Sequence, residues 1–230
     1  MKRSRASLRK ISTSILIIFF IFTIGVPIFG NYSHSFVSAD TTSILDQYTI
    51  YKWQPTLTPQ PYADYTDVFQ ISYDGSSNII NQIHAIEPSF IGLVYRNVIK
   101  ISISTSSEWT EFAAKNYILK DAAGNYPYET RFSYNFADIG NPGYQQWVAD
   151  WIYTQVTRKG ANGVFSDGGL CAIAADIWEF ASNPPINPRT GTYWNDPDTR
   201  DAFVELYDTI RAKLGAERLI VVNGIWSGSR

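Results

Sequence analysis

The sequence is poor in the residue types that build metal sites and disulfide frameworks. Its 230 residues include one cysteine, Cys171, and two histidines, His34 and His84. A single cysteine cannot form an internal disulfide, and so few thiol and imidazole groups exclude a structural zinc site of the Cys/His type. The sequence therefore predicts no metal site and no cofactor.

Acidic residues are missing from the first 39 positions, which hold five of the 19 basic residues. From Asp40 onward the chain has 14 basic and 21 acidic residues, a formal charge of −7. An acidic body repels phosphate backbones, so the composition argues against nucleic acid as a partner. With 45% hydrophobic and 17% charged residues, the chain can bury a sizeable core. This composition excludes disordered, collagen and coiled-coil classes.

The N-terminus has the three-part pattern of a secretory signal peptide. Basic residues at positions 2–10 precede an almost unbroken apolar run at 15–29 and a small-residue site, V-S-A, at 37–39. We predict cleavage before Asp40 and a secreted or extracytoplasmic protein. The alternative is an uncleaved membrane anchor, although the apolar run is shorter than the ~20 residues of a spanning helix. Cleavage would leave His84 as the one imidazole for any Ser-His-Asp site.

After an irregular aromatic lead-in at residues 40–66, the body at 67–230 alternates predicted strands and helices. The predicted strands are residues 68–73, 90–95, 132–137, 163–165 and 219–223. Apolar residues at helical spacing predict helices at residues 79–86, 108–114, 141–160 and 198–214. Repeated β/α units with near-continuous apolar strands indicate a parallel sheet.

The ends of the predicted strands favour a barrel over a doubly wound sheet. No glycine-rich nucleotide-binding motif follows a strand, whereas three strands end at Asp138, Asp167 and Asn223. Barrel enzymes place their chemistry at the C-terminal ends of strands. We therefore predict an α/β fold, an incomplete (β/α)8 TIM barrel with about five β/α units, since a complete barrel takes about 250 residues. Its open edges would allow self-association.

Asp138 and Asp167 are the predicted catalytic pair. Neighbouring parallel strands lie ~4.8 Å apart, so carboxylates at two strand ends are expected to share one pocket. Glycoside hydrolysis needs two carboxyl groups, one to protonate the leaving oxygen and one to act as nucleophile or base. The alternative is a capping role, because an acid after a strand often caps the next helix and Asp138 lies just before Asn141.

Substrate contacts are predicted for Tyr95, Trp178, Tyr193, Trp194 and Asn223. Exposed tryptophan and tyrosine rings stack on the apolar faces of sugars, while the alternative is that about half of the loop aromatics pack under the loop as a small core. Glu179 is a candidate third carboxyl group. We expect Cys171 to be buried and inert, and His84 to lie on the surface of the first helix.

Two motifs resemble those of a family of barrel glycosidases. Residues 136–144 (F-A-D-I-G-N-P-G-Y) with Trp147, and residues 160–168 (G-A-N-G-V-F-S-D-G), resemble the motifs D-x-G-N-P-x-Y-x-x-W and G-x-D-G-V-F-x-D of the hypothetical glycoside hydrolase family 15-like group. The second motif is more distantly similar to that of endo-α-1,4-polygalactosaminidase-type barrels. Residues 121–125 (D-A-A-G-N) also match an upstream D-x-x-G. The resemblance covers roughly residues 67–226 and is sharpest at 119–168.

The resemblance implies a glycosidase in which Asp167 is the nucleophile or charge stabiliser and Asp138 a substrate-binding or assisting acid. The sequence departs from the family at Asn162, where the motif has Asp, and it lacks strands six to eight, which often supply the acid/base. We expect an exported glycoside hydrolase, or its N-terminal fragment, that cleaves an extracellular polysaccharide or oligosaccharide. The alternatives are a non-catalytic carbohydrate-binding remnant and a membrane-tethered protein that dimerises through its open face.

Overall fold

The computed structural model describes residues 48–51, 68–71, 78–102, 107–130, 134–168, 178 and 181–222. The strands in these ranges are β1 (Tyr48–Tyr51), β2 (Val68–Ile71), β3 (Ile91–Asn97), β4 (Lys100–Ser102), β5 (Tyr134–Phe136), β6 (Gly163–Asp167) and β7 (Leu219–Val222). The helices are α1 (Ile79–Ile86), α2 (Ser107–Ala114), α3 (Pro142–Lys159) and α4 (Asp196–Leu214). None of these helices has the length and apolar character needed to cross a membrane. The predicted signal peptide and its cleavage site lie outside the described residues.

Five strands form one parallel sheet, in the order β1-β2-β3-β6-β7. Each strand pairs with the next one of the sheet along the chain, which is the order of strands in a (β/α)8 barrel. Helices α1, α3 and α4 lie in the crossovers that return the chain to the starting edge, as parallel pairing requires. The described strands form an open part of such a barrel, since β1 and β7 do not pair with each other. The predicted parallel α/β fold is thereby confirmed.

Strand β1 lies within the segment that the sequence predicted to be an irregular lead-in. It pairs in parallel with β2, from Tyr48 opposite Val68 to Tyr51 opposite Ile71. That prediction is wrong for these four residues, whose sequence Y-T-I-Y consists of aromatic and β-branched residues that favour strands. A strand of this length is too short to show a clear alternation.

The predicted third strand does not belong to the parallel sheet. Strand β5 pairs antiparallel with β4, with Lys100 opposite Phe136, and β3 pairs directly with β6. The prediction is wrong because the chain continues from β3, after a bend at residues 98–99, into a strand too short to be seen in the sequence. That strand, β4, supplies the partner of β5, so the sheet has five strands as predicted but with different members.

Helix α3 begins and ends where its sequence signals predicted. The side-chain oxygen of Asn141 accepts hydrogen bonds from the N–H groups of Gly143 and Tyr144, and a proline occupies the first turn, as is typical of helix starts. Gly160 ends the helix with a left-handed φ of 61°, which glycine adopts most readily. The buried face of the helix includes Tyr144, Val148, Ile152 and Val156.

An aromatic cluster joins α2 to α3. Phe112 of α2 is fully buried. Its ring meets the rings of Tyr117, Tyr144 and Trp147 edge-on, with centroid separations of 5.7, 5.7 and 4.5 Å. Such pairs contribute about 0.5–1.5 kcal/mol each beyond the burial of area, so this ring is a principal contact between the two helices.

The two faces of the parallel sheet have different surroundings. On the outer face, the guanidinium carbon of Arg96 lies 4.8 Å from the ring centre of Trp151 on α3. Further along, the hydroxyl oxygens of Ser166 and of Tyr207 on α4 are 2.7 Å apart. Helices therefore cover this face. Because side chains alternate along a strand, the opposite, inner face of β3 and β6 carries the half-buried residues Tyr95, Asn97, Phe165 and Asp167.

Candidate active site

Asp167 is the last residue of β6 and lies at the C-terminal end of the parallel sheet, on its inner face. The strand starts at Gly163, where a Cβ would clash with the carbonyl oxygen of Leu219, so glycine lets β6 and β7 approach closely. In the register of β3 and β6, Asn97 is level with Asp167 and Tyr95 with Phe165. The two strands thereby bring a carboxylate, an amide and a phenol together.

The Asp167 carboxylate accepts hydrogen bonds from β3 and from the turn that follows β6. The Tyr95 hydroxyl donates to Oδ2 at 2.6 Å, and the Asn97 amide nitrogen lies 3.4 Å from the same oxygen. The Gly168 N–H donates to Oδ1 at 2.9 Å; this residue has a φ of 70°, which explains the glycine. Hydrogen bonds to both oxygens hold the carboxylate in one orientation.

The Tyr95 hydroxyl group keeps its proton and donates a hydrogen bond to Asp167. Burial raises its pKa well above the ordinary value for tyrosine, and the hydrogen bond to Asp167 and the negative charge of that carboxylate raise it further. The phenol therefore stays protonated at neutral pH. Its ring stacks on Phe165 with a centroid separation of 6.4 Å. A carboxylate held by fixed donors at a strand end can serve as a nucleophile or can stabilise a developing positive charge.

Asp138 lies beyond the end of β5, which is not a strand of the parallel sheet. The expectation that it follows a strand next to that of Asp167 is wrong, because β5 pairs antiparallel with β4 and β3 lies directly beside β6. The shared pocket of the two acids stays a prediction. The catalytic roles of the two acids stay predictions. The two carboxyl groups have different surroundings in the structure.

Asp138 is only 4% exposed. Burial raises its pKa to about 6, while the Gly140 N–H, the Arg189 guanidinium and the Asn141 side chain favour the charged form and limit the rise. Its Oδ1 atom has no hydrogen-bond partner in the described part of the chain. Asp138 is thus a carboxyl group that exchanges its proton close to neutral pH.

The loop aromatics divide into two buried rings and one exposed ring. Trp178 and Trp194 are 9% and 6% exposed, with centroids 6.0 Å apart, and Trp178 packs edge-on against Phe136 of β5. The expectation that these two tryptophans stand exposed to a sugar is wrong, because both rings are buried in the hydrophobic core that includes Phe136. Tyr193 is 57% exposed. Asn223, Glu179 and Cys171 lie outside the described residues.

His84 and Asn162 form hydrogen bonds at the N-terminal end of the parallel strands, opposite to Asp167. The expectation of a surface histidine is wrong, since His84 is half-buried, with Nε2 2.8 Å from the Phe90 carbonyl oxygen and 3.1 Å from the Asn162 side-chain oxygen. Both neighbours are acceptors, so Nε2 carries the proton. The same Asn162 oxygen accepts the Gly92 N–H at 2.8 Å. Because Asn162 precedes β6, its departure from the family motif affects the packing of strands at the end remote from Asp167.

Asn97 is a site residue that the sequence reasoning missed. The predicted second strand ended at Tyr95, whereas β3 continues to Asn97. Two residues along a strand return to the same face, so a longer predicted strand would have placed Asn97 beside Tyr95. Among the described residues, no three His, Cys, Asp or Glu side chains are grouped so as to hold a metal ion.

No protein-family model matches the sequence, and no curated protein matches it. Several solved structures resemble the fold. The glycoside hydrolase domain of PelA from Pseudomonas aeruginosa has a TM-score of 0.52 at 10% identity, over 76% of this chain and 58% of that one. FjDex31A, a GH31 dextranase from Flavobacterium johnsoniae in complex with isomaltotriose, has a TM-score of 0.52 at 11% identity, over 72% and 23%. TtGalA, an alpha-galactosidase from Thermus thermophilus, has a TM-score of 0.49 at 13% identity, over 71% and 33%.

At these identities, the likeness to PelA and FjDex31A shows the fold alone. The parallel sheet and its helices correspond to part of the α/β framework on which these two glycoside hydrolases are built. The chain spans little more than half of the PelA domain and about a quarter of the dextranase chain. The framework places Asp167 where barrel enzymes carry their chemistry.

Proposed function

We propose that the chain is an exported glycoside hydrolase, or part of one, that cleaves an extracellular polysaccharide with Asp167 as its nucleophile or charge stabiliser. The observation that carries the proposal is the position of Asp167. It lies at the C-terminal end of β6, on the inner face of a sheet with barrel order, and hydrogen bonds from Tyr95 and Gly168 orient its two oxygens. Retaining chemistry is favoured, because it uses such a carboxylate directly as the nucleophile.

Asp138 is proposed as the assisting acid. A general acid works best when its pKa lies near the working pH, and burial raises the pKa of Asp138 to about 6. The two carboxyl groups thus have different surroundings, one buried and able to hold a proton, the other bound by donors. Such a difference is typical of the acid and the nucleophile in a glycosidase. Tyr193 and Asn223 are proposed to contact the sugar.

Two comparisons support a carbohydrate substrate. Residues 136–168 resemble the hypothetical glycoside hydrolase family 15-like group, in which the strand-four acid has the proposed role of Asp167. The fold likeness reaches a polysaccharide-cleaving enzyme, a dextranase, and that structure holds isomaltotriose. Export is proposed from the signal-peptide pattern of residues 1–39.

A second candidate function is carbohydrate binding without catalysis. One observation favours it: on the inner face of strands β3, β6 and β7, Asp167 is the one carboxylate. The other proposed acid, Asp138, lies beyond the end of β5, which is not a strand of the parallel sheet. A site that has one carboxylate beside aromatic rings would bind a sugar but would not cleave it.

The two functions are separated by measuring cleavage and binding on the same polysaccharides. The exported chain is incubated with dextran, α-1,4-linked polygalactosamine and starch, and new reducing ends are counted. We expect cleavage of at least one polymer, and a loss of about 1,000-fold or more in Asp167→Asn, as for a catalytic nucleophile. Binding should be retained in that variant. Asp208→Asn, at an exposed position of α4, is the matched control.

Cleavage that survives in Asp167→Asn would contradict the assigned role. If the wild-type chain binds an oligosaccharide of these polymers but releases no reducing ends, the binding function replaces the hydrolase. A chain that neither binds nor cleaves any of them would contradict both.

A further inference from the structure

We infer that Tyr95 is a positioning residue for Asp167, with Asn97 as its auxiliary, rather than a residue that contacts the sugar. The inference rests on the proposed function, since it describes how that carboxylate is made ready for reaction. The sequence assigned Tyr95 to the substrate because aromatic rings stack on sugars. The contacts of its hydroxyl group point instead to the carboxylate.

The hydroxyl group makes a short contact to the Asp167 carboxylate. The distance of 2.6 Å between Tyr95 Oη and Asp167 Oδ2 falls in the range of charge-assisted O–H···O⁻ bonds, which are about twice as strong as neutral ones. The Asn97 amide nitrogen approaches the same oxygen at 3.4 Å. The Asn97 side-chain oxygen accepts the Ile99 N–H at 3.2 Å, which turns the amide nitrogen towards Asp167.

Tyr95 itself cannot easily move. Strand β3 lies in the middle of the sheet, paired with β2 on one side and β6 on the other. The ring of Tyr95 stacks on Phe165, its neighbour across the register. A donor on this framework keeps its place while a ligand comes and goes, so it can hold the carboxylate before the substrate binds.

The hydroxyl group does not serve as an acid or base in this arrangement. Burial and the adjacent carboxylate keep Tyr95 protonated, so its contribution is a fixed hydrogen bond. Without it, Asp167 Oδ2 loses its bond from the phenol and keeps the longer contact with the Asn97 amide. The carboxylate is then held less firmly in its orientation. A misplacement of about 1 Å at a reacting group can cost about 100-fold in rate.

The first test measures the bond without using activity. The full chain is labelled with 13Cζ-tyrosine, the signal of Tyr95 is identified by its loss in Tyr95→Phe, and all signals are followed by NMR as the pH rises. The wild-type Tyr95 should titrate well above the ordinary pKa of tyrosine, because its burial and the adjacent carboxylate raise its pKa. In Asp167→Asn its titration should move to lower pH, because the bond and the charge that raise its pKa are removed. Asp208→Asn should leave it unchanged. An unchanged titration in Asp167→Asn would overturn the inference.

The second test separates positioning from substrate contact. On a polymer that the wild-type chain cleaves, Tyr95→Phe should lower kcat about 10- to 100-fold, as expected for losing a hydrogen bond to a charged group, with KM changed less than about twofold. The control Tyr153→Phe, on the exposed face of α3, should match the wild type. A rise in KM with kcat unchanged would overturn the inference in favour of sugar contact.

The outcomes also separate this inference from the function on which it rests. An active wild type whose kcat is the same in Tyr95→Phe would overturn the positioning role and leave the hydrolase in place. A wild type that cleaves none of the polymers, but in which Tyr95 still responds to Asp167→Asn, would overturn the hydrolase and show that the bond has no catalytic purpose.

Discussion

Asp138 is expected to make the native protein less stable as the pH rises from acid to neutral. Burial raises its pKa to about 6 in the folded chain, against about 3.9 for an exposed aspartate in an unfolded chain. Between these two values the native state binds more protons than the unfolded state, so the free energy of unfolding falls with increasing pH. Below the lower value both states are protonated and Asp138 has no effect. Above the upper value the free energy of unfolding is lowered by the full amount.

The size of the effect follows from the two pKa values. At about 1.36 kcal/mol per pH unit, the ionised carboxylate costs about 3 kcal/mol at pH 7.5 and about 1 kcal/mol at pH 4.5. Asp138→Asn removes the ionisation and keeps the size of the side chain. We therefore expect the variant to be more stable than the wild type, by a margin that grows by about 2 kcal/mol between these pH values.

Urea unfolding followed by tryptophan fluorescence at both pH values measures this margin. Asp208→Asn provides the control, because this residue is exposed on α4 and its replacement should give a margin close to zero at both pH values. The reasoning would be refuted by a variant of Asp138 whose margin does not change with pH, or whose stability at pH 7.5 is below that of the wild type. If Asp138 is also the assisting acid, the stabilised variant should lose most of the hydrolysis.

Substitutions at three positions test the fold, and a measurement of the N-terminus tests the export. Phe112→Ala should lower the free energy of unfolding by about 3–5 kcal/mol in urea melts, while Tyr153→Ala, at an exposed ring, should cost under about 0.5 kcal/mol. Asn141→Ala should cost about 1 kcal/mol by removing the cap of α3, and Asn141→Asp should retain it; calorimetry distinguishes the two. Asn162→Ala should cost about 1–3 kcal/mol, because the partly buried Gly92 N–H loses its acceptor; urea melts of this variant give the cost. Mass spectrometry of the protein collected outside an expressing cell should find an N-terminus at Asp40, and an N-terminus at Met1 on a membrane-bound protein would contradict cleavage.

The sequence predicted best what is decided by neighbouring residues. The start of α3 at Asn141 and its end at Gly160 depend on a few adjacent residues, so their signals are visible in the sequence. The apolar runs of β3 and β6 likewise depend on burial within the strand itself. For such elements, type and approximate bounds follow from composition and spacing.

The pairing of the strands could not be predicted from neighbouring residues in this way. Residues around Phe136 form a strand as predicted, but its place is decided by Lys100–Ser102, whose strand is too short to stand out. As a consequence for the site, Asp138 follows a strand that is not part of the parallel sheet. Trp178 and Trp194 were mistaken for exposed rings for a similar reason, since their burial depends on contacts with residues distant in the sequence, such as that of Trp178 with Phe136.

The alternation of side chains along β3 and β6 assigns stability and chemistry to different residues of the same strands. Residues 94, 96, 164 and 166 face the helices, and residues 95, 97, 165 and 167 face the site. Substitutions in the second set can therefore change the chemistry of the site without disturbing the helical layer. A single residue inserted before Tyr95 would exchange the two sets beyond it. Such an insertion should be more damaging than any one substitution at these positions.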